Sequence, residues 1–347
     1  MRASRHRVLT LAGAAVLAAG VPRALSGQAA APTDLGCREV PGWPRLPAGD
    51  TLGMVSGVAV DPAGRVVAFR RAGRVWDSDT LDTTPIARPT VLDAATGAVV
   101  RAWGAGRFAM PHGLTVDRRG HVWLTDVALH QVYEFSATGR LLRTVGERAV
   151  PGRDAAHFDM PSGVAVAADG SFYVSDGYGN TRVLHFAADG RLLRQRGDSG
   201  PGPGQFDLVH GVTLGPGRRV YVADRESARV QLFDAAGRFV AQWKSDALGK
   251  PFAVARGPAG TRWSGTWLVA DGGRSGYATD PRATSGVAVV GPDGAVRARF
   301  AEVGRDATAP LRPHALAVGP DGAVYVAGLR LAKFVCRGVV PHVPAER

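Results

Sequence analysis

The chain of 347 residues is long enough for one large domain or two average ones, and its 45% hydrophobic content supplies a sizeable core. A formal charge of +12 would suit a nucleic-acid partner, but the arginines are scattered singly and no aromatic-basic cluster interrupts them, so that class is set aside. With 46 Gly, 23 Pro and only 7% aromatics, the composition is turn-rich and leans towards β structure.

The N-terminus carries Arg2, Arg5 and Arg7, then the apolar run Val8 to Val21, then small residues around Ala24, Ser26 and Ala29 to Ala31. That layout predicts a secretory signal peptide over residues 1–31, too short to span a bilayer comfortably, and an exported mature protein, periplasmic or secreted. Loss of Arg2, Arg5, Arg7 and Arg23, with no acid among them, lowers the charge to +8. Residues 32–51 read as an N-terminal segment, 52–340 as one repetitive domain and 341–347 as a tail. No later stretch is long and apolar enough for a membrane span.

Six copies of one layout follow in chain order. They are LGMVSGVAVDPAGRVVAF (52–69), FAMPHGLTVDRRGHVWLTD (108–126), FDMPSGVAVAADGSFYVSD (158–176), FDLVHGVTLGPGRRVYVAD (206–224), the degenerate PFAVARGPAGTRWSGTWLVAD (251–271) and LRPHALAVGPDGAVYVAG (311–328). Each pairs an alternating strand with a Gly-containing turn and a second strand rich in Val and Tyr. Further hairpins with Gly turns follow, such as QVYEFSATGRLLRTVG, RVLHFAADGRLLRQRG and RVQLFDAAGRFVAQW. Two hairpins make a four-stranded sheet with a face it cannot bury alone, and six such sheets cover one another by closing into a ring. The expected fold is therefore all-β, a six-bladed β-propeller in a single domain. Ring closure brings the chain ends together, which would set Cys37 against the last-blade strand LAKFVC; the alternatives are one disulfide to Cys336 or two solitary thiols.

The slot before the first strand of each copy reads Ser56, His112, Ser162, His210, Ala253 and His314. With only 9 His in 347 residues, three in six equivalent slots would arise by chance less than about once in a thousand sequences. Alternate blades of a six-fold ring lie 120° apart, so the imidazoles of His112, His210 and His314 form a small triangle over the central channel. Three neutral imidazoles with a position left open suit a borderline transition metal, Zn²⁺ first, in a catalytic setting. His121, His130, His157, His185 and His342 lack this register and read as structural or solvated.

The first two strands of a blade are antiparallel, so residues just after the second return to the end where the slot lies. Those positions hold Arg70 and Arg71, Asp126, Asp176-Gly177-Tyr178, Asp224-Arg225 and Asp271. Tyr178 and the arginines are thus expected at the mouth of the triangle, and the aspartates are expected to cap turns by accepting backbone N–H groups.

From about Leu52 to Phe334 these motifs carry a resemblance. The repeats resemble NHL repeats, and PHGLTVD with TDVALHQV, SDGYGNTRV, ADRESARVQLF, AFRRAGRVWD and the spaced histidines are similar to the peptidyl-α-hydroxyglycine α-amidating lyases. The resemblance implies a carbon–nitrogen lyase acting on a small acyl- or peptidyl-α-hydroxyglycine, with zinc on His112, His210 and His314. It further implies Tyr178 as the base and Arg71 and Arg225 as contacts to the substrate or its carboxylate. A monomer is expected, with no nucleic-acid partner and no membrane span, and with a separate monooxygenase supplying the substrate.

The chain also departs from the family's pattern. Ala315 stands where a calcium-binding carboxylate would directly follow the third histidine, so calcium is not expected. Arg312 replaces an apolar residue two positions before that histidine, and Gly179 replaces a cysteine of animal members. Two other readings stay open, a metal-dependent lactonase or esterase and a non-enzymatic propeller that binds peptide, glycan or protein.

Overall fold

A computed structural model describes residues 33–74, 82–85, 88–273, 285–302, 309–338 and 340. The expected signal peptide, the tail with His342, and Val75 to Asp77 of the blade-one motif lie outside the described residues. Among the described residues, 24 strands form six four-stranded antiparallel sheets, and the sole helical element is a 3-10 turn at Pro216–Arg218. This is the expected six-bladed propeller.

Blade one comprises Val55–Val60, Val66–Arg70, Arg88–Leu92 and Val99–Ala102, and blade two Pro111–Val116, Val122–Asp126, Gln131–Phe135 and Leu141–Val145. Blade three comprises Pro161–Val166, Phe172–Asp176, Arg182–Phe186 and Leu192–Arg196. Blade four follows with Val209–Leu214, Val220–Asp224, Arg229–Phe233 and Phe239–Trp243, and blade five with Pro251–Arg256, Trp267–Asp271, Gly286–Val290 and Val296–Phe300. Blade six supplies only Ala315–Val318, Val324–Ala327 and Leu331–Val335; its fourth strand is Arg38–Glu39, from the segment expected to precede the domain. Each sheet buries its faces against the neighbouring blades, so the core lies between blades and leaves the axis open. Between blades two and three, Trp123, Phe158, Phe172, Leu184 and Phe186 form one such cluster, with Phe172 and Phe186 stacked at 4.9 Å. Burying each of these side chains stabilises the fold by about 1.5–3 kcal/mol. The Gly turns are as expected: in the blade-one turn, Asp61 Oδ1 accepts the N–H groups of Ala63 and Arg65, and Gly64 takes φ 79°.

At the start of the first strand of blades one to five the pairing register skips the slot, as between Val55 and Gly57, Pro161 and Gly163, and Val209 and Gly211. Such a bulge re-aims the unpaired side chain away from the alternating pleat, here towards the axis. The same irregularity in blade five falls between Pro251 and Ala253. Phe252 therefore occupies the fifth slot, and the expected Ala253 is one residue out of register.

Candidate active site

The three slot histidines converge as the spacing predicts. Their ring centroids lie 4.8 Å (His112 to His210), 4.6 Å (His112 to His314) and 4.7 Å (His210 to His314) apart, and all three side chains are buried. Each Nδ1 meets the backbone carbonyl of the next blade's slot: Ser162 for His112 (2.6 Å), Phe252 for His210 (2.7 Å) and Ser56 for His314 (2.7 Å). A carbonyl oxygen only accepts, so each Nδ1 carries the proton and each Nε2 keeps its lone pair. The Nε2 atoms of His210 and His314 are buried without a hydrogen-bond partner. Such orphans cost about 1–3 kcal/mol each unless something satisfies them, and the candidate ligand atoms of the three residues all lie within 4.8 Å of one another.

Burial, the neighbouring imidazole of His314 and the Arg71 charge hold His112 well below the usual imidazole pKa. His210 is likewise held well below it by burial and its two partner imidazoles, and burial beside Arg71 lowers His314 to about 3. All three are neutral at pH 7, the form that ligates a metal. The donor set, the tautomers and the two orphaned nitrogens fit a divalent cation of the zinc type.

Tyr178, Arg71 and Arg225 surround the triangle, as expected. The Tyr178 hydroxyl lies 3.0 Å from His112 Nε2 and 3.2 Å from Arg225 Nη1. It stands on a loop that only glycine permits: a Cβ on Gly177 would come within 1.8 Å of the Val209 carbonyl oxygen, and one on Gly179 within 2.0 Å of the Asp159 carboxyl group. Arg71 is fully buried, donating Nε–H to the Pro111 carbonyl (3.0 Å) and approaching Met54 Sδ with Nη1 (3.0 Å). Arg225 donates Nε–H to Glu226 (2.8 Å), and its guanidinium faces the rings of Tyr178 (5.4 Å) and Phe252 (4.9 Å).

Arg70 does not join this group; it pairs with Asp50 (2.8 Å) and supports the loop before blade one. The aspartates behave as caps. Asp126 accepts N–H groups from Ala109, Met110, Ala128 and Leu129, Asp224 from Asp207 and Asp271 from Lys250 and Gly273. Asp176 accepts from the Asp159 N–H, Asn180 and Arg182, and burial raises its pKa to about 6. The other described histidines serve elsewhere: His121 meets Glu134 (2.8 Å), His130 accepts the Met160 N–H (3.0 Å), His157 meets Asp154 (2.8 Å) and His185 stacks on Tyr173 (4.0 Å). Phe252 and Met54 were not expected in the site. Aligning PFA with PHG and VHG on their shared layout would have found the first; nothing local marks the second.

Behind the triangle the first strands enclose a channel cavity of about 240 Å³. Ala315 lies on its wall, and among the described residues lining it there is no carboxylate.

The sequence profile of the NHL repeat matches residues 158–186 and 206–233. Among curated proteins, the peptidyl-glycine alpha-amidating monooxygenase B of Xenopus laevis is 37% identical over 295 residues, covering 79% of this chain and 33% of the relative. A probable peptidyl-alpha-hydroxyglycine alpha-amidating lyase of Caenorhabditis elegans is 42% identical over 197 residues (53% and 56%), and the peptidyl-alpha-hydroxyglycine alpha-amidating lyase 1 of Drosophila melanogaster 34% over 317 (83% and 58%). The matched region thus spans a third of the Xenopus protein and somewhat over half of the two lyases. Among solved structures, a gluconolactonase from Xanthomonas campestris superposes with a TM-score of 0.59 at 16% identity, covering 83% of this chain and 87% of that one. A streptogramin B lyase gives 0.52 at 13%, covering 82% and 94%; both likenesses concern the fold alone. By its sequence matches, the chain belongs to the peptidyl-α-hydroxyglycine α-amidating lyase family of NHL-repeat propellers.

Proposed function

We propose that this protein is a zinc-dependent, exported lyase that cleaves the C–N bond of an N-acyl- or peptidyl-α-hydroxyglycine, giving the amide and glyoxylate. The carrying observation is the buried triangle of neutral imidazoles, with two orphaned Nε2 atoms, set against the Tyr178 hydroxyl. His112, His210 and His314 would hold the ion through Nε2. When bound, zinc would act as a Lewis acid that stabilises negative charge on the substrate hydroxyl oxygen.

The remaining chemistry falls to the chain's own groups. Tyr178 acts as the phenolate, which the adjacent Arg225 guanidinium at 3.2 Å favours, and its Oη takes the substrate hydroxyl proton and becomes the phenol. As the O–H bond breaks, its electron pair becomes the second bond of the aldehyde carbonyl and the C–N pair leaves with the amide nitrogen. The same proton then passes from the Tyr178 phenol to that nitrogen, so the phenolate is regenerated and no water is consumed. Arg71 and Arg225 supply two cations for the glycine carboxylate, and a guanidinium fork fixes its orientation. Export is supported by the Cys37–Cys336 disulfide, a bond suited to oxidising compartments. No helix among the described residues is long and apolar enough to cross a membrane.

Purified protein incubated with benzoyl-α-hydroxyglycine is the test, with bound zinc measured in the same sample. The expected result is glyoxylate release with about one zinc per chain. Zinc without glyoxylate would replace the lyase with a metal-dependent hydrolase, and neither would leave a binding propeller.

A further inference from the structure

Blade five breaks the pattern of the ring. Where the other slots hold serine or histidine, it holds Phe252, and the lyase chemistry gives that ring no role. Its surroundings do. The Phe252 carbonyl accepts His210 Nδ1–H at 2.7 Å, and its ring packs 4.6 Å from the His210 ring. The ring's outer edge is backed by Gly272, where a Cβ would stand 2.0 Å from it, so the residue behind must be glycine for the ring to lie there. The Arg225 guanidinium faces that ring at 4.9 Å and the Tyr178 ring at 5.4 Å.

An arginine on a long unbranched stem has many rotamers, and Glu226 already holds Arg225 at Nε from one side. Two aromatic faces select among those rotamers, because a cation over a desolvated ring face is held more firmly than one over an aliphatic side chain. We propose that Phe252 is a positioning residue: its ring and that of Tyr178 form an aromatic clamp that fixes the Arg225 guanidinium where it reaches Tyr178 Oη and the substrate carboxylate. The clamp rests on geometry alone; its effect on turnover rests on the lyase reading.

Two readouts separate these. In a proton–nitrogen correlation spectrum of arginine side chains, the Arg225 Nε–H signal is identified by its disappearance in Arg225→Lys. Ring currents from the two faces set it apart in the wild type; Phe252→Leu moves it towards the other arginines and Phe252→Tyr leaves it in place. In kinetics, Phe252→Leu lowers kcat/KM for benzoyl-α-hydroxyglycine about tenfold with zinc content unchanged, and Phe252→Tyr restores it. In the Arg225→Lys background, Phe252→Leu adds less than about a twofold further loss. Phe252→Met serves as a second ring-free variant if leucine does not fold. A signal unmoved by both ring-free variants, or an undiminished loss in the Arg225→Lys background, overturns the proposal. If the wild type releases no glyoxylate, the lyase reading fails and the position of the Arg225 signal alone decides the clamp.

Discussion

The chemistry of the candidate site turns on which nitrogen of each histidine carries the proton. Backbone carbonyls of Ser162, Phe252 and Ser56 accept the three Nδ1–H bonds, which leaves every Nε2 unprotonated, those of His210 and His314 without a hydrogen-bond partner and that of His112 facing the Tyr178 hydroxyl. Tyr178 touches one of those nitrogens but holds none of the carbonyls, so its hydroxyl is separable from the metal. Tyr178→Phe is therefore expected to keep its zinc while kcat falls by about a hundredfold or more, measured as glyoxylate release and bound metal on one preparation. Acid should act through the same imidazoles. Their folded pKa values are depressed, His314 to about 3, so between that value and the ordinary 6.5 the unfolded chain binds protons that the folded chain refuses. In chelator-treated protein this stability is present above pH 6.5 and is lost as pH falls towards 3. Asp176, raised to about 6, and Asp126 and Asp271, also raised by burial, act in the opposite sense within this window, while His130 and His185, lowered by burial, add to the three imidazoles. A urea midpoint that falls steadily from pH 7 to pH 4 in the zinc-free protein is the expected outcome.

At the scale of the strand and its loop, two local devices build the site. The bulge at the slots of blades one to five turns a side chain from the pleat towards the axis, His314 lies just ahead of the first strand of blade six, and the glycine-bordered turn after Asp176 brings Tyr178 over the axis. Gly177→Ala should disturb the second device, because its methyl group would meet the Val209 carbonyl at 1.8 Å, and backbone has to yield. A stability loss of about 1–3 kcal/mol is expected, with turnover falling further than thermal stability explains as Tyr178 is displaced. Denaturation and kinetics on the same variant check both. Most of this scale was legible beforehand: strands from alternation, turns from Asp and Gly, and the His register from repetition. The slot of blade five was not, since a bulge breaks the alternation used to align strands, and PFA offers neither the His nor the Gly that marks PHG and VHG. Met54 beside Arg71 was not either, because that contact joins residues 17 apart through side chains whose directions no local pattern reports.

For the whole molecule, closure decides whether alternate blades face a common point. Arg38–Glu39 completes blade six by pairing with Leu331–Val335, and the Cys37–Cys336 disulfide locks that seam across 299 residues of chain. The ring form of the fold was readable from the repeats, but a two-residue strand was not, because it exists only once the ends have met. A crosslink over so long a loop restricts the unfolded chain strongly. Replacing both cysteines by serine is expected to lower unfolding free energy by about 2–5 kcal/mol, read from guanidinium titrations. The most direct test of the central claim is an anomalous-difference map at the zinc edge from crystals of the purified protein. One peak about 2.0–2.1 Å from Nε2 of each of His112, His210 and His314 is the predicted result. A map with zinc supplied but no density between these three rings would contradict it.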